Sequence, residues 1–167
     1  NASVDFMVRT ARIAALDVVQ MHGEETTEKI EAVRREGFHV VQALKRTGPE
    51  LLAAARALPP RVGILVECGR GALPGGNGLA WNWSKAAPLA PFRAFAIAGG
   101  LNPQDLAAVA RDSRAAGFDA SSGVEISPGI KDEAAVRAFL RAARDLPPAP
   151  HPFSWEGPPR ASRASET

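Results

Sequence analysis

Cysteine is nearly absent from this chain of 167 residues: Cys68 is the only one. No disulfide can form within the chain, and a reducing compartment, with the cytoplasm as the default, is the simpler reading. An excess of charge of one sign is also lacking, since 20 Lys and Arg against 18 Asp and Glu leave a formal net charge of +2. That balance is too close to neutral to point to nucleic acid or an acidic membrane surface as partner. No apolar run approaches the roughly twenty residues of a membrane span. The opening Asn1-Ala2-Ser3-Val4-Asp5-Phe6 has neither the basic nor the apolar region of a signal peptide. The chain opens without methionine, which reads as a start within a longer protein or after processing.

What the chain does have is a recurring unit. Short apolar runs at residues 16–20, 38–44, 62–67, 92–98 and 118–120 are strand candidates. Between them apolar residues fall at helical spacing: Val4, Val8 and Ala11; Ile30 and Val33; Leu51, Ala55 and Leu58; Leu106, Val109 and Ala110; Val136, Phe139 and Leu140. Alternation of strand and helix implies an α/β fold of parallel strands joined by right-handed crossovers. Asn102-Pro103 reads as a cap with proline at the first helical position, and Asp132-Glu133 puts acid in the first turn of the last helix. From Leu146 the pattern stops. Residues 146–167, with Pro147, Pro148, Pro150, Pro152, Pro158 and Pro159, read as a disordered tail behind a domain of residues 1–145.

Two strand ends stand out. Ala94-Phe95-Ala96-Ile97 runs into Ala98-Gly99-Gly100-Leu101-Asn102-Pro103, and Phe118-Asp119-Ala120 runs into Ser121-Ser122-Gly123-Val124-Glu125. Backbone N–H groups left free in such turns can cradle a phosphate. Two adjacent strand ends sharing one anion is how (β/α)8 barrels hold sugar phosphates. His22, in Val18-Val19-Gln20-Met21-His22-Gly23, stands at the carboxyl end of a strand, either satisfied by a neighbouring loop or touching a ligand. Glu67 ends the buried run Ile64-Leu65-Val66 and is either a solvated strand end or a proton donor. Asp119 alternates with Phe118 and Ala120 and so faces one defined side, which inside a barrel is the ligand side.

Taken together these segments resemble phosphoribosylanthranilate isomerase, the barrel enzyme of tryptophan biosynthesis. Val19-Gln20-Met21-His22-Gly23-Glu24 resembles the family's segment after its fourth strand. Leu73-Pro74-Gly75-Gly76-Asn77-Gly78-Leu79-Ala80-Trp81-Asn82-Trp83 resembles its glycine loop and the Phe-Asp-Trp that follows. Ala98 to Pro103, and Asp119 to Glu125 continuing to Pro128-Gly129-Ile130-Lys131-Asp132, resemble its seventh and eighth loops.

The resemblance implies a (β/α)8 TIM-barrel family member, here an incomplete barrel of about five parallel strands, the fourth to the eighth, with helices outside. It implies an Amadori rearrangement of N-(5-phosphoribosyl)anthranilate to 1-(2-carboxyphenylamino)-1-deoxyribulose 5-phosphate, without cofactor or metal. Glu67 stands where the family has the aspartate that acts as general acid. His22 would line the anthranilate side, and Asp119 would contact the sugar hydroxyls. Gly99, Gly100, Ser121, Ser122 and Gly123 would hold the phosphate. The family's base, a cysteine on its first strand, and the early-loop arginine that helps hold the anthranilate carboxylate have no counterpart, and Cys68 follows the wrong strand to replace the base. The chain alone is therefore expected to be inactive. Asn82 for the family's aspartate is expected to preserve helix-start capping.

A five-stranded arc would leave two open edges and an apolar inner face, so homo-oligomerisation or pairing with a missing N-terminal segment is expected. Two other readings remain. A related barrel such as a pentose-phosphate epimerase would share the phosphate loops but would need metal-binding histidines that the chain lacks. The other is a non-catalytic fragment that only binds phosphosugars.

Overall fold

The computed structural model describes residues 2–67, 82–149 and 153. All five expected strands form: β1 (Val18–Met21), β2 (His39–Leu44), β3 (Gly63–Glu67), β4 (Ala96–Ala98) and β5 (Gly117–Asp119). They pair in parallel in the order β1-β2-β3-β4-β5. Among the described residues the sheet is open, with β1 and β5 at its edges. β4 is shorter than the apolar run 92–98 because the amides of Phe92 and Arg93 turn back to the Leu89 carbonyl.

The helices are α1 (Val4–Ile13), α2 (Thr27–Arg35), α3 (Gly48–Ala57), α4 (Leu106–Ser113) and α5 (Glu133–Arg144). Ser3 Oγ accepts from the Phe6 amide and Thr26 Oγ1 from the Lys29 amide, which caps α1 and α2. Asp132 is the cap of α5, accepting from the amides of Ala134 and Ala135. One start is displaced. Asn102 Oδ1 accepts from the amides of Gln104 and Asp105, so Pro103 opens a turn, and α4 itself begins at Leu106. Between β3 and β4 the described crossover is a 3-10 helix, Trp83–Leu89, with Pro88 inside it, whose missing N–H suits a short loose helix better than an α-helix. Asn82 caps it, its Oδ1 accepting from the Ser84 amide, as expected for asparagine in that place.

After β5 a 3-10 turn, Ser122–Val124, leads into an antiparallel pair, β6 (Glu125–Ser127) and β7 (Ile130–Lys131). Gly129, at φ 82°, makes the turn between them. α5 ends at Arg144, and Leu146 packs against the main core.

Alternation along the strands sorts side chains onto two faces. Leu44, Ile64, Val66 and Ile97 meet α3 and α4 through Leu51, Ala55, Leu106 and Val109, while Val40 packs with Ile30, Val33 and Val8. Val41, Ala43, Leu65 and Ala98 form a separate cluster on the opposite, inner face. The sequence led us to expect that face to be uncovered. Instead these four side chains are 2–7% exposed because they pack on one another, with Val18 and Ala96 partly buried against them. Away from it, the guanidinium of Arg93 donates to the carbonyls of Ala55, Leu58, Pro59, Pro60 and Val62, tying the end of α3 to the start of β3.

Candidate functional site

The inner face turns polar at the carboxyl ends of the strands. Following the alternation outward from Val18, Val41, Leu65 and Ala96, the next inward residues are Gln20 on β1, His22 after it, Lys45 after β2, Glu67 on β3 and Asp119 on β5. The register places Glu67 beside Ala98 and Ala98 beside Asp119. Small side chains on β4 therefore leave room between the backbone positions of Glu67 and Asp119, which are roughly 10 Å apart, two strand spacings.

His22 and Glu67 meet, with His22 Nδ1 3.3 Å from Glu67 Oε2. The other ring nitrogen, Nε2, lies 2.6 Å from Gln20 Oε1. With the Gln20 amide oxygen facing it, Nε2 is the donor. Nδ1 then faces the carboxyl group of Glu67 at ion-pair distance. Lys45 Nζ approaches the same oxygen at 3.6 Å. Glu67 Oε2 is itself buried and has no hydrogen-bond partner, although the side chain as a whole keeps 30% of its exposure.

Beside β4 and β5 the two expected phosphate loops touch. Gly99 and Gly100 have φ of 105° and 69°, a conformation that L side chains rarely adopt. A Cβ built on Gly123 would lie 1.9 Å from the Leu101 carbonyl oxygen and 3.3 Å from Asn102 Cα. Only glycine lets the second loop lie so close on the first. Ser121 and Ser122 are exposed above this contact. Lys131 braces it from the hairpin, with Nζ donating to Ser121 O at 3.0 Å, Ser121 Oγ at 3.3 Å and Glu125 Oε1 at 2.7 Å. That ammonium contact, with the Gly129 amide, holds the Glu125 carboxyl below its ordinary range.

Beside His22 and Lys45, a cleft of ≈ 560 Å³ opens toward α3. Gln42 is buried in its wall, with Nε2 donating to Gly23 O at 2.8 Å and Glu25 Oε2 at 3.2 Å while Oε1 finds no partner. Among the described residues no group of three or more His, Cys, Asp and Glu is placed to hold a metal ion.

Comparison with known proteins decides what this arrangement belongs to. The family model described as N-(5'phosphoribosyl)anthranilate (PRA) isomerase matches residues 1–142. The N-(5'-phosphoribosyl)anthranilate isomerase of Myxococcus xanthus is 41% identical over 152 residues, covering 87% of this chain and 69% of that protein. The chain belongs to the PRA isomerase family.

Solved structures of PRA isomerases agree. That of Thermotoga maritima superposes with a TM-score of 0.74 at 29% identity, covering 87% of this chain and 70% of its own. A PRA isomerase in complex with reduced 1-(o-carboxyphenylamino)-1-deoxyribulose 5-phosphate gives a TM-score of 0.71 at 27% identity, with 87% and 69% covered. The fold is thus the TIM-barrel type of α/β protein, and the family is an isomerase of tryptophan biosynthesis. No helix among the described residues is long and apolar enough to cross a membrane.

Of the residues that the PRA isomerase motifs single out, the described strands bring His22 to Glu67 and the Gly99-Gly100 loop to Gly123. Asp119 lies two strands from Glu67 in the same register row and leads into the Ser121-Ser122-Gly123 loop. Cys68 and the loop from Leu73 to Trp81 lie outside the described residues. Lys45 and Gln42 were not anticipated. Lys45 follows Val41 and Ala43 at the inward spacing, a signal the sequence carries, whereas its position at a strand end reads first as solvated.

Proposed function

We propose that this chain carries the acid, the sugar-binding and the phosphate-binding parts of a PRA isomerase site. In this reading β1 to β5 correspond to the fourth to eighth strands of the family's barrel. The order of the motifs along β1, β3, β4 and β5 supports it, as does coverage of about 69% of the length of the Myxococcus xanthus relative. The observation that carries the reading is the contact between Gly123 and Leu101, which joins two strand-end loops rich in glycine and serine at one place.

The substrate then lies across the strand ends. Its phosphate sits on the amides of Gly99, Gly100, Ser121, Ser122 and Gly123, and its ribose hydroxyls face Asp119. Its aromatic ring lies toward His22. Glu67, as the general acid, protonates the ribose ring oxygen, so that the C1–O bond breaks and the imine forms. A base removes the C2 proton to give the enolamine, which tautomerises to the ketone. Holding the phosphate gives binding energy remote from the reacting carbons, which orients the sugar under the acid.

The base is not among the described side chains facing Asp119 and Glu67, and in this reading it comes from the family's first strand. The isolated chain should bind the phosphorylated ligand without turning substrate over. Turnover of N-(5'-phosphoribosyl)anthranilate is measured for the chain alone and mixed with a fragment supplying the first three strand–helix units. Activity only in the mixture is expected. Robust turnover by the chain alone would overthrow the assignment of the base. The residue-level reading is preferred to an epimerase because His22, the histidine at the site, is hydrogen-bonded to Gln20 and stands at ion-pair distance from Glu67.

A further inference from the structure

Gln42 is only 3% exposed, yet its Oε1 meets no hydrogen-bond donor. Buried acceptors are rarely left so. The amide cannot be flipped to satisfy it, because Nε2 donates to Gly23 O at 2.8 Å and Glu25 Oε2 at 3.2 Å, and both of these only accept. The missing donor is therefore one that a ligand can bring. By alternation Gln42 belongs with Val40 and Leu44, which pack toward the helices, and not with Val41 and Ala43 on the inner face. It lines the cleft of ≈ 560 Å³ that reaches α3, and so faces away from the inner surface that carries Glu67 and Asp119.

The charges around this cleft are matched except for one. Glu24 is taken by Arg46 at 2.7 Å, and Lys45 has Glu67 at 3.6 Å. Glu25, on the cleft wall, has no cation within ion-pair distance among the described residues, and its Oε2 accepts from Gln42. One unmatched carboxylate and one unmet amide oxygen thus stand together. Beside them the wall is apolar, with Leu44, Ala54, Ala57 and Leu58. We propose that the cleft binds a primary ammonium carried on a small apolar body, with its hydrogens on Gln42 Oε1 and the Glu25 carboxylate and its hydrocarbon against α3. An ammonium offers three donors and can reach both oxygens at once, whereas a hydroxyl offers one and a carboxylate none. Since Oε1 is itself buried, the Gln42 side chain shifts toward the cleft as the ligand enters. Such a ligand shares nothing with a phosphorylated sugar, so this is a second site and does not depend on the functional reading given above.

The test is an NMR titration of the full chain at neutral pH with phenethylamine, and with phenethyl alcohol as the uncharged counterpart. The amine should bind saturably. It should move the side-chain amide signals of Gln42 and the backbone amides of Gly23 and Glu25, while Gly99, Gly100 and Ser122 stay in place. The alcohol should bind about tenfold more weakly. Glu25→Gln keeps the shape and removes the charge, so it should cost the amine about tenfold and leave the alcohol within about twofold. Gln42→Met should weaken the amine as well, with thermal unfolding showing that the variant is folded; because it also removes the tie to Gly23, Glu25→Gln carries the decision. No saturable binding of the amine, equal binding of amine and alcohol, unchanged amine affinity in Glu25→Gln, or shifts confined to the loops after β4 and β5 would each overturn the proposal.

Discussion

Gly123 lies against the backbone of Leu101, so close that an added Cβ would fall 1.9 Å from the carbonyl oxygen. The contact joins the ends of β4 and β5 into one surface. It predicts that Gly123→Ala pushes the two loops apart. The cost should be about 1–3 kcal/mol of stability, as for other overpacked sites. Affinity for a phosphorylated ligand should drop by about tenfold, as a small displacement of fixed donors does. Chemical unfolding and calorimetry, run on the same variant, check both.

The pairing of His22 Nδ1 with the buried Oε2 of Glu67 gives a second expectation. Measured on PRA isomerase turnover, Glu67→Gln should lower kcat by about 10²–10⁴ with little change in KM if Glu67 is the proton donor, since the amide keeps the shape. A KM effect without a kcat effect would make Glu67 a binding residue instead.

Arg93 is the structural counterpart of these site residues. Its guanidinium donates to the carbonyls of Ala55, Leu58, Pro59, Pro60 and Val62, which the end of α3 would otherwise leave without donors. Arg93→Ala should destabilise the fold by about 2–3 kcal/mol. Arg93→Lys should recover only part of this, because an ammonium cannot fork across carbonyls on several residues. Thermal unfolding of the two variants gives the comparison.

The hairpin that braces the serine loop should weaken in acid. Hydrogen bonding from Lys131 first, and from the Gly129 amide second, lowers the Glu125 carboxyl from its ordinary value of 4.5. A carboxyl lowered in the folded state stabilises above its unfolded value, and that contribution is lost as pH falls through the lowered one. Stability of the parent chain should therefore decline below the ordinary glutamate range more steeply than that of Glu125→Gln. Urea unfolding at a series of acid pH values, with the two proteins side by side, reads this difference. Parallel curves would remove Glu125 from the account.

The strands were legible because buried parallel strands are short apolar runs, and β2 and β3 stand in the sequence as such. The contact of the two strand-end loops was legible for a related reason, since successive strands in a right-handed α/β fold lie side by side. The start of α4 was misplaced. Asn102 does accept amide hydrogens, but Pro103 begins a turn rather than the helix, and the two patterns share one sequence signature. The β6–β7 pair escaped notice because strands of three and two residues carry no periodicity, leaving only Gly129 as a mark. Lys45 was missed for a physical reason too: a lysine at a strand end is usually solvated, and only the approach of Glu67 from the next strand gives it a direction.

The account stands most directly on the claim that amides from both strand-end loops meet one phosphate. The decisive measurement is an amide-resolved NMR titration of the full chain with reduced 1-(o-carboxyphenylamino)-1-deoxyribulose 5-phosphate. The amide signals of Gly99, Gly100, Ser121, Ser122 and Gly123 should shift together and saturate at the same ligand concentration. Shifts confined to one loop, or ligand binding that leaves both loops unmoved, would contradict it.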